Sequence, residues 1–588
     1  MSNVHEKVVG QDVVQPSDRD IEINDKAPSP TAQSFDGEKS DEELDSNAQD
    51  GVRIAEATTQ AWSKAHLYTA YIMIWCIYFV NAMQQTTTGS LTPYVTSSFY
   101  EHSLTATTSV MSSIIGGLTT LPLSKILDIW GRPQGFLLMV IILTLGLIMM
   151  AACNNVKTYA AAQVFYWVGY NGLNYTMGIF VADTSSLKSR GFAFAFISSP
   201  YIVTVWIGGP IAESFLKTSG FRWGFGTFAI VTPIVCMPLF GLFMYNYFKA
   251  KKMGLINTTP SGRSIPQSVW YYLIQFDIMG LLLICAGMSL FLLPFSLYSF
   301  QSDGWNSPLI ICMLVFGIVF LIAFALYERF LAPVTFIPFK LLTDRTVLGA
   351  YILAGVLFVE FYIWDSYFTS FLQVVNNLTV TQTSYVANIY SIGSCFWALV
   401  VGAAIRWTGK FKWVALYFGV PITILGVGLM IKFRAPDENI GYIVMCQIFI
   451  AFGGGALVIC EQIAAMAAAN HQQVAVVLAV EGMFSSIGGA IGSSVAAAIW
   501  TGVFPKKLAE HLPQESLGNL TAIYGSLSTQ LSYPVGSATR DAIITSYGEA
   551  QKLMLISATA VLVLAVAAVA VWRDIDVKKF KQVKGMVF

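Results

Sequence analysis

Four carboxylates interrupt long apolar runs of this chain: Glu360 and Asp365 share one run, Glu461 lies in a second and Glu481 in a third. At the centre of a bilayer an ionised carboxylate costs about 3 kcal/mol even on the lenient insertion scale, so such residues invite a functional reading. The chemistry they offer is proton carriage. A carboxyl protonated toward one compartment and deprotonated toward the other moves protons with a cargo, its pKa following its hydration. Asp365 sits near the middle of its run, and Glu461 and Glu481 nearer one end. For each, the competing reading is a structural hydrogen bond. Asp277, which opens a run of its own, reads as a helix cap.

Amides and aromatic rings accompany the acids. Asn81, Gln84, Gln85 and Thr88 lie on the first run, and Trp167, Tyr170, Asn171 and Asn174 share a face of the fourth. On the ninth run Glu360, Trp364, Tyr367 and Phe371 form one stripe, and Phe361, Asp365 and Phe368 another, since five residues turn about 140° around a helix. An aromatic stripe alone is ordinary packing, but core and lipid faces have little use for interleaved asparagine. Gln84, Gln85, Tyr170, Asn171, Asn174, Trp206, Trp364, Tyr367 and Phe368 are therefore candidate walls of a cavity for a bulky cargo.

A second chemistry is a breakable latch. The string Ser124-Lys-Ile-Leu-Asp128-Ile-Trp-Gly131-Arg132 recurs in spacing as Gly402-Ala-Ala-Ile-Arg406-Trp-Thr-Gly409-Lys410, 278 positions later (410 minus 132). Gly131 and Gly409 suit a tight turn, and Arg132 can clamp a carboxylate with two prongs. Asp128, Gly131, Arg132, Arg406, Gly409 and Lys410 are thus gate candidates, with Arg406 giving the second copy the opposite polarity to Asp128. The bland reading is that these bases only anchor topology. A repeated helix–loop–helix in the two halves of a membrane protein is the mark of a transporter built from two related bundles.

The elements that must hold these residues are transmembrane helices. The 588 residues are 55% hydrophobic and 12% charged, with a mean hydropathy of +0.60, where a soluble protein carries about a quarter charged. Crossing a bilayer takes about 20 helical residues. Fourteen runs qualify, near 66–97, 105–126, 134–153, 158–182, 192–215, 224–247, 272–297, 308–327, 347–372, 383–404, 412–433, 440–466, 474–503 and 551–572. The 278-residue offset maps the first run onto the ninth, giving an all-α polytopic fold of six, two and six helices. Its parts are an acidic tail (1–62), an N-terminal bundle (63–248), a loop (249–271) and an inserted pair (272–327). A linker (328–345), a C-terminal bundle (346–573) and a basic tail (574–588) follow.

Residues 1–60 hold 14 acids against 5 bases, a composition that predicts disorder. Ser40 there is open to phosphorylation, though a plain solvated tail is the simpler reading. Lysine and arginine are denser on the side of both termini, which predicts that both are cytoplasmic. One long polar loop, 505–550, then lies outside with Tyr533, Arg540 and Tyr547, as do the glycosylation sequons at Asn377 and Asn519. Eight scattered cysteines and five scattered histidines suggest neither disulfide nor metal site. Gly409-Lys410 lacks the upstream glycine of a phosphate loop, position 404 being Ala. No cofactor and no enzymatic activity are expected; the energy source is a gradient.

The repeated motif resembles the loop motif of the major facilitator superfamily, with Ser124 in place of its usual glycine. The resemblance implies that Asp183, followed by Arg190, stands after the fourth helix where that superfamily places an acid able to reach Arg132, which adds both to the gate candidates. The familiar intramembrane arginine of the fourth helix is missing; Gln163, Gly169 and Gly172 stand there. Gly208-Gly209-Pro210 followed by Ala212-Glu213 only partly matches the antiporter motif. Asn171-Gly-Leu-Asn-Tyr175, Val181-Ala-Asp183, Phe221-Arg-Trp-Gly224, Phe276-Asp277-Ile-Met-Gly280, Tyr327-Glu328 and Arg540-Asp541-Ala542 look like fungal siderophore-iron transporters. That resemblance covers about residues 62–588. It implies proton-coupled import of intact ferric siderophores by alternating access, in the plasma membrane or in endosomal vesicles, by a protein working as a monomer. A ferric hydroxamate, already six-coordinate and nearly neutral, suits sparse bases and amide walls. The alternatives are a proton-coupled multidrug or small-peptide exporter and a transporter-like nutrient sensor.

Overall fold

Lipid offers no partner to a backbone N–H or C=O, so a chain this apolar satisfies those groups within helices. The computed structural model describes residues 58, 61–99, 105–185, 187–255, 264–298, 301–333, 343–467 and 474–579, and every regular element among them is helical. The expected acidic tail lies outside the described residues up to residue 57, as does the side chain of Asp128.

In chain order, α1 is Lys64–Ser98, α2 is Thr105–Leu118 with Thr120–Trp130, α3 is Arg132–Ala152, and α4 is Val156–Thr184. Then α5 is Leu187–Ser198 with Tyr201–Lys217, α6 is Phe221–Lys252, α7 is Ile265–Gln275 with Ile278–Leu292, and α8 is Pro308–Phe330. Helix α9 is Arg345–Asp365 with Phe368–Val374, α10 is Val380–Ala387 with Ile389–Thr408, and α11 is Lys412–Phe433. Last come α12 at Ile440–Ala467, α13 at Val474–His511 and α14 at Ala538–Val561 with Val563–Ala570. Each of the fourteen expected runs meets a helix. Length and composition alone support twelve membrane spans, or thirteen when α7, bent by 50°, is taken as one. The 29-residue α4 falls short because amides and phenols dilute it.

The ninth run is one candidate span, Arg345–Val374, with a two-residue interruption at Ser366–Tyr367. Two expectations need correction. The long loop is much shorter than 505–550, because α13 continues to His511 and α14 begins at Ala538. Ser537 caps α14 by accepting from the Arg540 amide at 3.2 Å. Arg540 and Tyr547 are therefore helical, and three short helices (Gln514–Leu517, Leu520–Gly525, Leu527–Ser532) fill the remainder.

The halves meet where α2 packs on α13 and α5 on α10, while α7 and α8 pack mainly on each other. At the end that carries the repeated motifs, Thr120 Oγ1 donates to the Ala479 carbonyl at 3.3 Å. There α10 crosses α5 so closely that a Cβ on Gly402 would lie 3.1 Å from the Gly191 carbonyl carbon. At the opposite, loop end the Tyr94 hydroxyl donates to Gln373 Oε1 at 2.5 Å, and the Thr381 amide to Glu213 Oε2 at 3.1 Å. Both ends are bridged in this conformation.

The first motif closes as expected. Gly131 takes φ of 105°, Arg132 Nε donates to Asp183 Oδ2 at 3.2 Å, and Arg132 Nη1 donates to the Leu127 carbonyl at 2.9 Å. Arg190, fully buried, donates to the last carbonyls of α4, Ala182 at 3.0 Å and Ser185 at 3.2 Å. The second motif keeps its turn, Gly409 at φ of 80°, and changes partners. Lys410 pairs with Asp574 at 3.1 Å and holds that exposed carboxyl below its ordinary range, while the Gly409 carbonyl accepts from Val577 N at 3.0 Å. Arg406 is exposed and makes no ion pair or hydrogen bond among the described residues, so the opposite-polarity latch is not formed there.

Two outcomes follow. Arg132→Ala removes an ion pair and a carbonyl bond from a mostly buried site, and it should cost about 1–3 kcal/mol in a detergent-unfolding titration, with Arg132→Lys intermediate. Gly402→Leu should prop the motif end open, raising maleimide labelling of a cysteine at Ser189 several-fold in a cysteine-depleted background; unchanged labelling would argue against the close crossing as a gate.

Candidate functional site

In the first half, polar groups from α1, α4, α5 and α6 converge. Gln85 Oε1 accepts from two phenols, Tyr170 at 2.9 Å and Tyr201 at 2.8 Å, and the two hydroxyls also touch each other. Gln84 Oε1 accepts from Thr232 at 2.8 Å, and Asn81 Nδ2 donates to Asn174 Oδ1 at 3.3 Å. Beside them Trp167 Nε1 donates to Gln163 at 2.9 Å, and Gln163 Nε2 to the Tyr159 hydroxyl at 2.6 Å. Asn81 Oδ1 on α1 makes no hydrogen bond among the described residues, and Gln84 and Thr88 face the Tyr166 hydroxyl of α4. At steps of three and four residues Asn81, Gln84 and Thr88 share one buried polar face of the helix.

Gln84, Gln85, Tyr170 and Asn174 are therefore brought together. Asn171 is half-buried, facing α2 beside Gly116. Trp206 is apart from the network, 55% exposed and packed on Tyr385 of α10 at 5.1 Å.

The second half places its candidates differently. Trp364, Tyr367 and Phe368 are fully packed in this conformation rather than lining an open wall. Tyr367 stacks on Trp500 of α13 at 4.2 Å, and Trp500 meets Tyr547 of α14 at 5.0 Å. Such ring pairs add about 1 kcal/mol each beyond the area they bury. Tyr547 donates to Gln530 Oε1 at 2.8 Å, so it locks the short loop helices instead of meeting solvent. Arg540 is likewise buried, donating to the carbonyls of Gln530 at 2.5 Å and Val374 at 2.9 Å. Tyr533 is half-buried, its hydroxyl accepting from exposed Asn519 at 3.4 Å, and Asn377 is exposed between α9 and α10.

The four acids occupy distinct settings. Glu360 is buried and accepts from Trp364 Nε1 at 2.7 Å. Glu461 and Glu481 are buried on the adjacent helices α12 and α13 within electrostatic reach of each other, and Glu461 Oε2 has no partner. Asp365 is half-buried at the break in α9 and makes no hydrogen bond among the described residues. Within electrostatic reach of it is a residue that the sequence analysis did not single out, Arg434, the C-cap of α11, which is 2% exposed. Position next to Phe433 and Lys432 at the edge of an apolar run does not tell a buried arginine from a snorkelling one. Tyr201 and Thr232 were also missed, as single polar residues without a repeat to mark them.

No group of three or more histidine, cysteine or acidic side chains is placed to hold a metal ion among the described residues.

The Major Facilitator Superfamily model matches residues 74–333. Among curated proteins, "MFS siderochrome iron transporter 1" of Ajellomyces capsulatus is 64% identical over 95% of this chain and 94% of its own length. "MFS siderochrome iron transporter D" of Aspergillus fumigatus is 46% identical over 92% of this chain and 90% of its own. A bacterial homolog to the human lysosomal transporter Spinster, solved in an inward-facing and occupied conformation, aligns with a TM-score of 0.51. It covers 87% of this chain and 97% of that one at 13% identity, a likeness of fold alone. The two bundles bridged at both ends and the near full-length identity lead to one conclusion: this chain is a membrane transporter of the major facilitator superfamily and belongs to its siderochrome iron transporter family.

Proposed function

We propose that this protein imports intact ferric siderophores, of the hydroxamate class, by proton-coupled alternating access. The observation that carries the reading is the buried polar face of Asn81, Gln84 and Thr88 on α1 beside the Gln85–Tyr170–Tyr201 network. Amides and phenols suit a cargo whose periphery offers amide and hydroxamate oxygens, whereas an anionic triscatecholate calls for clustered bases. The iron travels as cargo, already coordinated, and asks no ligand of the protein.

The two bundles, about 63–248 and 346–573, rock about this site. The Arg132–Asp183 latch and the Gly402–Gly191 crossing close the cytoplasmic end. Tyr94–Gln373 and Glu213–Thr381 close the outer end. Both termini are cytoplasmic, the membrane is the plasma membrane, the protein works as a monomer, and α7 and α8 ride outside the rocking motion. Asp365 carries the coupled proton, being the acid of the four that is half-buried and free of hydrogen bonds.

Uptake of radioiron-loaded hydroxamate siderophores by fungal cells lacking their own transporters, with and without a protonophore, tests the reading. Saturable, protonophore-sensitive accumulation is expected; no uptake across a varied panel, with protein at the surface, would overturn import. Asp365→Asn should lower accumulation about tenfold or more while surface delivery stays normal. Gln85→Ala removes the acceptor of two phenols and should raise KM about three- to tenfold with kcat nearly unchanged, as expected when about 0.6–1.4 kcal/mol of ground-state binding is lost. A kcat effect alone would move Gln85 from binding to gating.

A further inference from the structure

At its break, α9 stops at Asp365 and restarts at Phe368. Arg434 fills that break from α11. Its Nη1 donates to the Trp364 carbonyl at 3.0 Å, and its guanidinium carbon lies 4.2 Å from the Phe368 ring centroid and 5.0 Å from that of Phe371. The remaining edge of the fork, Nε and Nη2, is buried without a hydrogen-bond partner. Those two donors point the same way and match the two oxygens of a carboxylate. An edge of a buried guanidinium without a hydrogen-bond partner is suited to receive a carboxylate. Asp365, one residue beyond the carbonyl that Arg434 holds, is the carboxylate whose charge reaches it, and it too makes no hydrogen bond among the described residues.

We propose that Arg434 is the positioning residue of proton coupling: its Nε–Nη2 edge binds ionised Asp365 in one step of the cycle and releases it in the other. The exchange balances with one proton. Uptake of H⁺ by one Asp365 oxygen leaves a neutral carboxyl and frees the guanidinium; loss of that H⁺ to the other compartment restores the carboxylate and the pair.

The switch reaches a gate through the short second piece of α9. Phe368–Val374 is gripped at its start by Arg434 and at its end by Arg540, on the Val374 carbonyl at 2.9 Å, and its Gln373 carries the tie to Tyr94 of α1. The other titratable or charged groups around Asp365 are Glu360 and Tyr362 on α9 and Tyr390 on α10. On the helices packed against α9, Glu461 of α12 and Glu481 of α13 lie nearer the motif end, and Arg540 and Tyr547 of α14 nearer the loop end. Arg434 is the cation that acts on Asp365.

This inference rests on the proposed import, and vesicles preloaded with ferric hydroxamate separate the two. Wild-type protein must both accumulate and exchange the substrate; if it does neither, the import reading fails rather than the pair. Given wild-type transport, Arg434→Gln should lower proton-driven accumulation about tenfold while exchange at equal pH stays within about twofold, because exchange needs no net proton release. The double variant Asp365→Asn with Arg434→Gln should be no worse than either single one, the coupling expected of partners. Arg434→Lys keeps the charge and loses the fork; it should shift the pH profile of accumulation by about one unit and covers the case in which Arg434→Gln does not reach the membrane. Accumulation and exchange falling together, additive losses in the double variant, or an unchanged profile for Arg434→Lys would each overturn the proposal.

Discussion

Every backbone hydrogen bond broken inside a bilayer must be replaced on the spot, and the placing of functional groups in this protein follows from how that is done. Six of the fourteen helices are interrupted within their spans, and at four of these breaks polar side chains supply the repair, three of them with a partner from a neighbouring helix. At Ser199 of α5, Trp75 of α1 donates to the serine oxygen at 2.9 Å while that oxygen donates to the Phe196 carbonyl. At Asp277 of α7, which takes φ of 44°, the carboxylate accepts from its own Gly280 amide and from Tyr327 of α8 at 3.0 Å. At Ser366–Tyr367 of α9 the repair is Arg434 of α11. The fourth, at Asn388 of α10, is closed by its own amide on the Ser384 carbonyl at 2.8 Å. Where a helix relies on a neighbour, moving that neighbour moves the break.

The repeat tells how the halves relate and where they have parted. Both motif copies keep the glycine at positive φ, because the chain must reverse sharply between two helices in either half. Their basic residues took different partners. Arg132 bonds an acid at the end of α4, inside its own bundle, whereas Lys410 bonds Asp574 after α14 and Lys412 donates to the Ala570 and Trp572 carbonyls. The second copy thus fastens the end of the chain to α10 and α11. One half carries a mostly buried ion pair and the other an exposed one, so the two copies of the motif are fastened differently.

Hydropathy made the helices legible because lipid imposes one rule on every span; Arg132 was legible because it hangs on a spacing that recurs, and its partner Asp183 because of the family resemblance. What stayed hidden depends on rotation and depth. Trp206 and Tyr170 are both aromatic residues in apolar runs, yet one packs outward on Tyr385 and the other donates to Gln85. Arg540 and Tyr547 read as loop residues because their neighbourhood is polar; Ser537 starts a helix there and turns both inward. Arg434 was hidden for the same reason in reverse, since a charge at the edge of an apolar run is equally at home in headgroups or in a core.

The stub Phe368–Val374 shows why the two arginines matter together. A free seven-residue helix is too short to hold itself, since nucleation is costly and few bonds repay it. This one is held by cations at both ends, Arg434 stacked on Phe368 and Phe371 and Arg540 on its last carbonyls, with Tyr367 at its entrance stacked on Trp500. Held at both ends, the stub alone separates the Asp365 break from Gln373, where the half-to-half tie to Tyr94 is made. Glu360 lies one turn earlier, in the unbroken piece, where it is bonded to Trp364 of the same piece, so of the two acids on α9 it is Asp365 that adjoins the stub.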